Sequence, residues 1–492
     1  MNFAPKVYET KLHEIWLLQA FNSPLKTVSR DEVSILEPGS LNEDTAGPDF
    51  LNARIRIGNL VYVGDIEIDT DYNDWKNHGH NIDNKHNKVI LHASLINRNN
   101  QQYVYTKDGR RVPTICLSNF ISDKNLINAN EEFTHSASNN SQIKCAHLTK
   151  DIDFHFKKKY ISQLGIERFK KKCSKIENRL KEILFIQKMN LKEPVISFDL
   201  RPEFQNQQFD GAEFKPKEIW QQLFYELVFE ALGYSKNKSI MQRLAMSVDI
   251  QFLNKLGNDS ETIRRYESAL FNVSGLMPNP EAFSNSEITE YYTQLSEDWE
   301  ILGRIYDGQK FDKTEWHFFK LRPQNFPTIR IAGGIRFLEM LLFNDLLGTI
   351  AQKFSEIRNL SVLVNSIRSL FVIRARCFWK THYVFDQPAK DEIKYFVGAA
   401  RADEIVINVI LPFFYIYFNM FNQEELAKKI LKIYNIYDQR ADNKIVREVS
   451  EGLNTPAFLK KTVLNQGMLE LFRNFCSKKK CLECEIGKFI FN

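Results

Sequence analysis

Three carboxylates occupy every second position in the run Gly64-Asp65-Ile66-Glu67-Ile68-Asp69. On an extended strand alternate side chains share a face, so Asp65, Glu67 and Asp69 project together, and Ile66 and Ile68 project to the other side. Such a row repels itself unless it meets water or a cation. Gly47-Pro48-Asp49-Phe50 opens a neighbouring strand, and a hairpin would bring Asp49 near Glu67. Carboxylates at a corner of this kind suit a hard divalent ion, Mg²⁺ or Mn²⁺, which takes oxygen ligands. A cation there would activate water and stabilise charge on a phosphodiester. The bland counterpart is an edge strand whose acidic face simply meets water.

Immediately downstream lies Asp74-Trp75-Lys76-Asn77-His78-Gly79-His80, followed by Asp83, His86 and His92. Four of the ten histidines fall between positions 78 and 92. Imidazoles at this density are equipped to bind metal or to move protons near neutral pH. His78 and His80 are the candidates. The bland reading makes them polar loop residues together with His86, and His92 reads as a hydrogen-bonded core histidine.

The seven cysteines make a second chemical signal. Cys116, Cys145, Cys173 and Cys377 are scattered, whereas Cys476-x4-Cys481-x2-Cys484 is a tight cluster. An odd count and no secretory leader argue against a disulfide framework and leave metal binding open. Three thiolates at this spacing fit Zn²⁺ or an iron–sulfur cluster, with Cys145 the first choice as fourth ligand. Lys478, Lys479 and Lys480 would favour thiolates or touch phosphate. Arg322 and Arg330, in the rigid segment Arg322-Pro323-Gln324-Asn325-Phe326-Pro327, are candidate anion contacts.

These residues need elements to carry them. Amphipathic spacing of Leu12, Ile15, Trp16 and Leu18 predicts a helix over 9–21. A short strand at 33–36 and a hairpin of strands at 50–57 and 60–68 follow, with Leu51, Ala53, Ile55 and Ile57 expected on one face. A polar stretch at 74–87 leads to a buried strand at 88–96, with further strands near 103–105 and 112–116. An Asn- and Ser-rich linker covers 126–150. Beyond it the periodicity is helical, over 154–190, 217–232, 238–256, 261–271, 287–306, 336–354, 403–421, 423–434 and 460–475.

The order helix, strand, two-stranded hairpin, polar helix, strand, together with Pro48-Asp49 and Glu67, resembles the PD-(D/E)XK nuclease superfamily. The resemblance covers the first hundred or so residues. It implies that Asp49 and Glu67 hold Mg²⁺ and that a helix carboxylate joins them. Glu9 fits that role, since it shares a helix face with His13 and Trp16. The superfamily's Lys position falls on Asp69, so its work would pass to Lys76, His78 or His80, with Asp69 assisting the metal or positioning water. The W-x-x-H-G-H pattern is also similar to the His-bearing segment of the very-short-patch repair endonucleases. Over nearly the whole chain a longer string, from PG and GPDF through GDIEI, DW-x-x-HGH and VILHA, resembles a bacterial family of unknown function. Cys145, the segment from Leu321 to Ile331, and Gln466-Gly467 before the terminal cysteines are further shared features. That family usually carries His where this chain has Asp69.

The expected architecture is α+β: a PD-(D/E)XK-like αβββαβ module at 1–125, the linker at 126–150, an all-helical region at 151–470 and a cysteine motif at 471–492. The expected function is metal-dependent hydrolysis of nucleic acid, DNA first. The alternatives are an inactive nucleic-acid-binding or scaffold protein of the same shape, or a zinc hydrolase built on His78 and His80. The formal net charge of +5 permits nucleic-acid contact without demanding it. No run of sequence reaches membrane-span length, and a cytoplasmic location is expected.

Overall fold

A computed structural model of the 492-residue chain describes residues 9–42, 47–121, 143–189, 204–278, 286–318, 321–439 and 443–491. The chain divides into two compact units, Met1–Ser141 and Gln142–Asn492.

The first unit is built on one mixed sheet. Helix α1 (Glu9–Leu18) precedes strands β1 (Leu25–Lys26), β2 (Glu32–Glu37), β3 (Ser40–Leu41), β4 (Phe50–Ile57) and β5 (Leu60–Asp71). A short helix α2 (Asp74–Asn77) and two 3₁₀ turns cross to β6 (Val89–Ile96), and β7 (Tyr103–Tyr105) and β8 (Arg111–Cys116) complete the sheet. The strand order is β1-β2-β4-β5-β6-β8-β7, with β3 added beside β4. Strands β2, β4 and β5 form an antiparallel meander, and β5, β6 and β8 run parallel.

Both faces of this sheet are covered. Leu12, Ile15 and Trp16 of α1 pack on Phe50, Ala53, Ile55, Ile66 and Ile68. On the other face Trp75 packs with Val89, Val104 and Val112. This is why β6 reads as an almost unbroken apolar run: a parallel strand buried on both sides has no solvent face to mark with polar residues. The alternation expected for β4 holds only past its start. A bulge between Phe50 and Ala53, with Asn52 at φ 55°, sends Phe50 rather than Leu51 into the core.

The second unit is helical but not all-helical. Its elements are α3 (Phe154–Lys188), α4 (Lys217–Leu232), α5 (Lys238–Ser247), α6 (Ile250–Asn254), α7 (Thr262–Val273), α8 (Ser286–Ile305), α9 (Pro327–Phe343), α10 (Leu346–Glu356) and α11 (Leu360–Leu370). Then come α12 (Ala399–Ile405), α13 (Leu411–Met420), α14 (Glu424–Ile436), α15 (Lys444–Gly452), α16 (Thr462–Leu471) and α17 (Glu485–Phe491). Between α11 and α12 two small antiparallel ribbons interrupt the helices. Strand β9 (Ile373–Arg374) pairs with β12 (Tyr395–Val397), and β10 (His382–Val384) pairs with β11 (Gln387–Pro388). These short β-branched and aromatic stretches lack a helical period, so the all-helical expectation fails there.

Two long predicted helices also break. Asp249 caps a fresh start at α6 by accepting from the Phe252 amide at 2.7 Å, which splits 238–256. The helix expected at 336–354 starts earlier, at Pro327, where a proline needs no amide partner. It then stops before Asp345, whose φ of 42° is left-handed. Helices α3 and α16 approach closely because glycines face each other's backbones. A Cβ on Gly165 would stand 2.0 Å from the Val463 carbonyl, and one on Gly467 would stand 1.9 Å from that of Ile161. Among the described residues no helix is long and apolar enough to cross a membrane.

Candidate metal centre

Strand β5 sets the site. Ile66 and Ile68 are fully buried beneath α1, and Asp65, Glu67 and Asp69 turn to the face where Trp75 packs. All three carboxylates are themselves buried. A buried carboxylate is costly unless something compensates its charge, and each has its own compensation. Asp65 accepts from the amide of Asn52, the residue exposed by the bulge in β4, at 3.0 Å. It therefore serves the fold rather than the site.

Glu67 and Asp69 meet imidazoles. His80 Nε2 lies 2.9 Å from Glu67 Oε1, and His86 Nε2 lies 3.6 Å from Oε2. His78 Nδ1 lies 3.3 Å from Asp69 Oδ1, and His92 Nε2 lies 3.0 Å from Oδ2. The crossover from β5 to β6 delivers three of these histidines. Gly79, at φ 79°, turns the chain between His78 and His80 in a conformation glycine accepts without strain. His92 comes from β6, where parallel pairing sets it opposite Glu67 and Ser94 opposite Asp69. Trp75 is the platform. Its ring meets those of His80, His86 and His92 edge-on at centroid distances of 5.5, 5.9 and 5.3 Å, and its Nε1 donates to the Tyr105 carbonyl at 3.0 Å.

Two overlapping ligand sets result. One donor atom each of Glu67, His80 and His86 lie within 4.8 Å of one another, and so do those of Asp69, His78 and His80. The two sets share His80. Buried His80 Nε2, His86 Nε2 and Asp69 Oδ1 make no hydrogen bond among the described residues despite their short contacts. Buried polar atoms normally find a partner; a cation held by Glu67, His80 and His86 would satisfy the two imidazole nitrogens, and one held by Asp69, His78 and His80 would satisfy the Asp69 oxygen. The residues therefore fit a divalent metal. The mixed imidazole and carboxylate set favours Zn²⁺ or Mn²⁺ over Mg²⁺, which prefers oxygen alone.

The charges of these groups act strongly on one another. Burial works to raise Glu67, but the adjoining imidazoles outweigh it and hold the carboxyl at about 2. Burial works to lower His86, but Asp83 and Glu67 outweigh it and lift the imidazole to about 9. Asp83, beside His86, is held at about 2.

Asp49 sits next to this group. Its amide donates to Glu67 Oε2 at 3.2 Å, its Oδ2 accepts from the Ile68 amide at 2.9 Å, and His13 Nε2 stands 3.3 Å away. Burial, with the nearby charge of Glu67, raises its carboxyl despite His13. Asp49 belongs to neither ligand set. Glu9 is the first residue of α1, and its side chain lies outside the described residues. Lys76 is exposed on α2, and no ion pair joins it to these carboxylates among the described residues.

His86 and His92 were read from sequence as loop and core residues, and His13 only as a marker of a helix face. The usable signal for His86 and His92 is the clustering of four imidazoles between positions 78 and 92. In the second unit Arg330 is not an open anion contact. It is buried, its two terminal nitrogens donate to the Phe396 carbonyl, Asn325 and Tyr234, and it lies over the Tyr234 ring, while its buried Nε has no hydrogen-bond partner among the described residues. Burial lowers it to about 10. Arg322 is exposed, as are Lys478, Lys479 and Lys480, although Lys480 pairs with Glu483 at 2.9 Å.

Fold and site thus define an α+β protein whose N-terminal sheet carries a buried carboxylate–imidazole centre. The chain belongs to the family described as Protein of unknown function (DUF2851), whose model matches residues 9–188 and 206–444. No curated protein and no solved structure matches it.

Proposed function

We propose that the N-terminal unit is a metal-dependent phosphodiester hydrolase acting on nucleic acid, DNA first. The observation that carries the reading is the pair of overlapping ligand sets, Glu67–His80–His86 and Asp69–His78–His80, which share His80 and include buried atoms without a hydrogen-bond partner among the described residues. A divalent ion bound there would polarise a phosphodiester oxygen and make water a nucleophile at neutral pH. The chain's own residues supply the rest. Asp49, beside the ligands but not among them, accepts the water's proton, and His13 orients that carboxylate. His92 fixes Asp69, and Trp75 keeps the imidazoles from turning away, as residues around a metal site must.

Nucleic acid is favoured as the substrate by the order of elements. With the two-residue strands β1 and β3 set aside, helix α1, strand β2, hairpin β4–β5, short helix α2 and strand β6 come in an order similar to that of the PD-(D/E)XK nucleases, which supports the reading. Asp69 stands where those enzymes carry a Lys. His78 Nδ1 and His92 Nε2 stand 3.3 and 3.0 Å from that carboxylate and hold it in place. This reading joins the nuclease expectation to the zinc expectation at a single site.

The test is cleavage of labelled single- and double-stranded DNA and RNA by the purified chain with Mg²⁺, Mn²⁺ or Zn²⁺. Glu67→Gln and His80→Ala should each abolish cutting while the circular dichroism spectrum is unchanged. Metal bound tightly at these residues with no cleavage of any substrate, including a simple aryl phosphodiester, would leave the hydrolase reading without support and favour the inactive scaffold.

A further inference from the structure

The second unit brings Cys145 to the three C-terminal cysteines across more than three hundred residues of sequence. Cys145 lies in the loop before α3 and Cys476 in the π-helical turn Phe472–Cys476 that closes α16. The glycine-mediated contact of α3 with α16 sets those two regions side by side. Further contacts fix them. Thr149 Oγ1 donates to the Gly452 carbonyl at 2.8 Å, and Lys157 Nζ donates to the Thr149 and Leu453 carbonyls at 2.9 and 3.0 Å. Phe156 of α3 packs against Phe489 of α17, with ring centroids 5.9 Å apart. Cys145 and Cys484 are buried, and Cys476 and Cys481 are half-buried.

The four thiols interact with one another. Cys145 feels Cys484 and Cys481, and Cys476 feels Cys484, Cys145 and Cys481. Donors to sulfur are already in place: Tyr160 Oη lies 3.9 Å from Cys484 Sγ, and the amides of Ile486 and Gly487 also point at that sulfur. Hydrogen bonds of this kind surround the sulfurs of bound clusters and tune them.

We infer that Cys145, Cys476, Cys481 and Cys484 hold an iron–sulfur cluster. The spacing Cys-x4-Cys-x2-Cys with a distant fourth cysteine is one used by iron–sulfur proteins. The cluster fastens the loop before α3 to the end of the chain.

The experiment is anaerobic purification of the full chain, reconstituted with ferrous iron and sulfide, followed by iron, zinc and acid-labile sulfide analysis, visible absorption and electron paramagnetic resonance. The expected result is stoichiometric iron and sulfide with broad visible absorption. Both should be lost in Cys145→Ser and Cys481→Ser and kept in Cys173→Ser and Cys377→Ser. The wild-type analysis does not depend on any variant folding. Zinc without iron or sulfide, a colourless protein after reconstitution, or unchanged iron in Cys145→Ser would each overturn the assignment. None of these readouts involves nuclease activity, so this inference and the proposed function stand or fall separately.

Discussion

Glu67 and His86 show how one buried pair links stability, pH and metal. In the metal-free chain His86 is lifted from 6.5 to about 9, so its contribution is complete below 6.5 and is lost as pH rises through 9. Glu67 is lowered from 4.5 to about 2, so its contribution is present above 4.5 and is lost as pH falls through 2. Calorimetry of the metal-free N-terminal transition should therefore find the fullest support from this pair between pH 4.5 and 6.5. Added Zn²⁺ or Mn²⁺ should remove the alkaline decline, because metal replaces the proton on His86. A flat profile from pH 6.5 to 9 without metal would contradict the pairing. Trp75 is the other decisive residue here. Trp75→Ala should cost about 3–5 kcal/mol by chemical denaturation. It should also weaken metal binding in titration calorimetry, because three imidazole rings lose their wall.

At the scale of elements, close approach matters more than propensity. Helices α3 and α16 pack through Gly165 and Gly467, where any side chain would meet backbone carbonyls. Gly165→Ala and Gly467→Ala should each destabilise the second unit by at least about 1–3 kcal/mol in urea unfolding. The double variant should cost less than the sum, because one displacement of the helices relieves both clashes. If the four-cysteine cluster holds, both variants should also bind iron more weakly, since that contact sets Cys145 beside Cys476. In the N-terminal unit the bulge in β4 does comparable work. It places Phe50 in the core and its free amide on Asp65, and so removes one of the three strand carboxylates from the chemistry.

Over the whole molecule, each unit has its own core. Inside the second, Glu226 is completely buried and held by Arg179 through two bonds of 2.7 and 2.9 Å, with Gln222 also donating at 2.9 Å. Removing one partner of such a pair strands the other charge in the interior. Glu226→Ala should cost the second unit about 3–5 kcal/mol. Scanning calorimetry should show that transition moving while metal binding at Glu67 keeps its affinity. Loss of metal binding in Glu226→Ala would mean that the cores do not fold independently.

Local sequence patterns determined much of this protein. Period-two alternation marked β5 and the common face of Asp65, Glu67 and Asp69, and helical spacing marked α1, α3 and α4. These signals are legible because burial of one face leaves a periodic trace in the chain itself. The sequence also carried the cysteine spacing and Cys145 as a candidate partner. What only the tertiary structure decided is which side chains meet. His86 and His92 join Glu67 and Asp69 because β6 lies parallel beside β5, a pairing that no local pattern encodes. Arg330 turned inward because Tyr234 and Phe396 arrive from distant segments to accept from its two terminal nitrogens. Asp65 left the site because a one-residue bulge offered it an amide. A row of carboxylates on a strand is written in the chain, but the imidazoles that stand beside it are gathered by the fold.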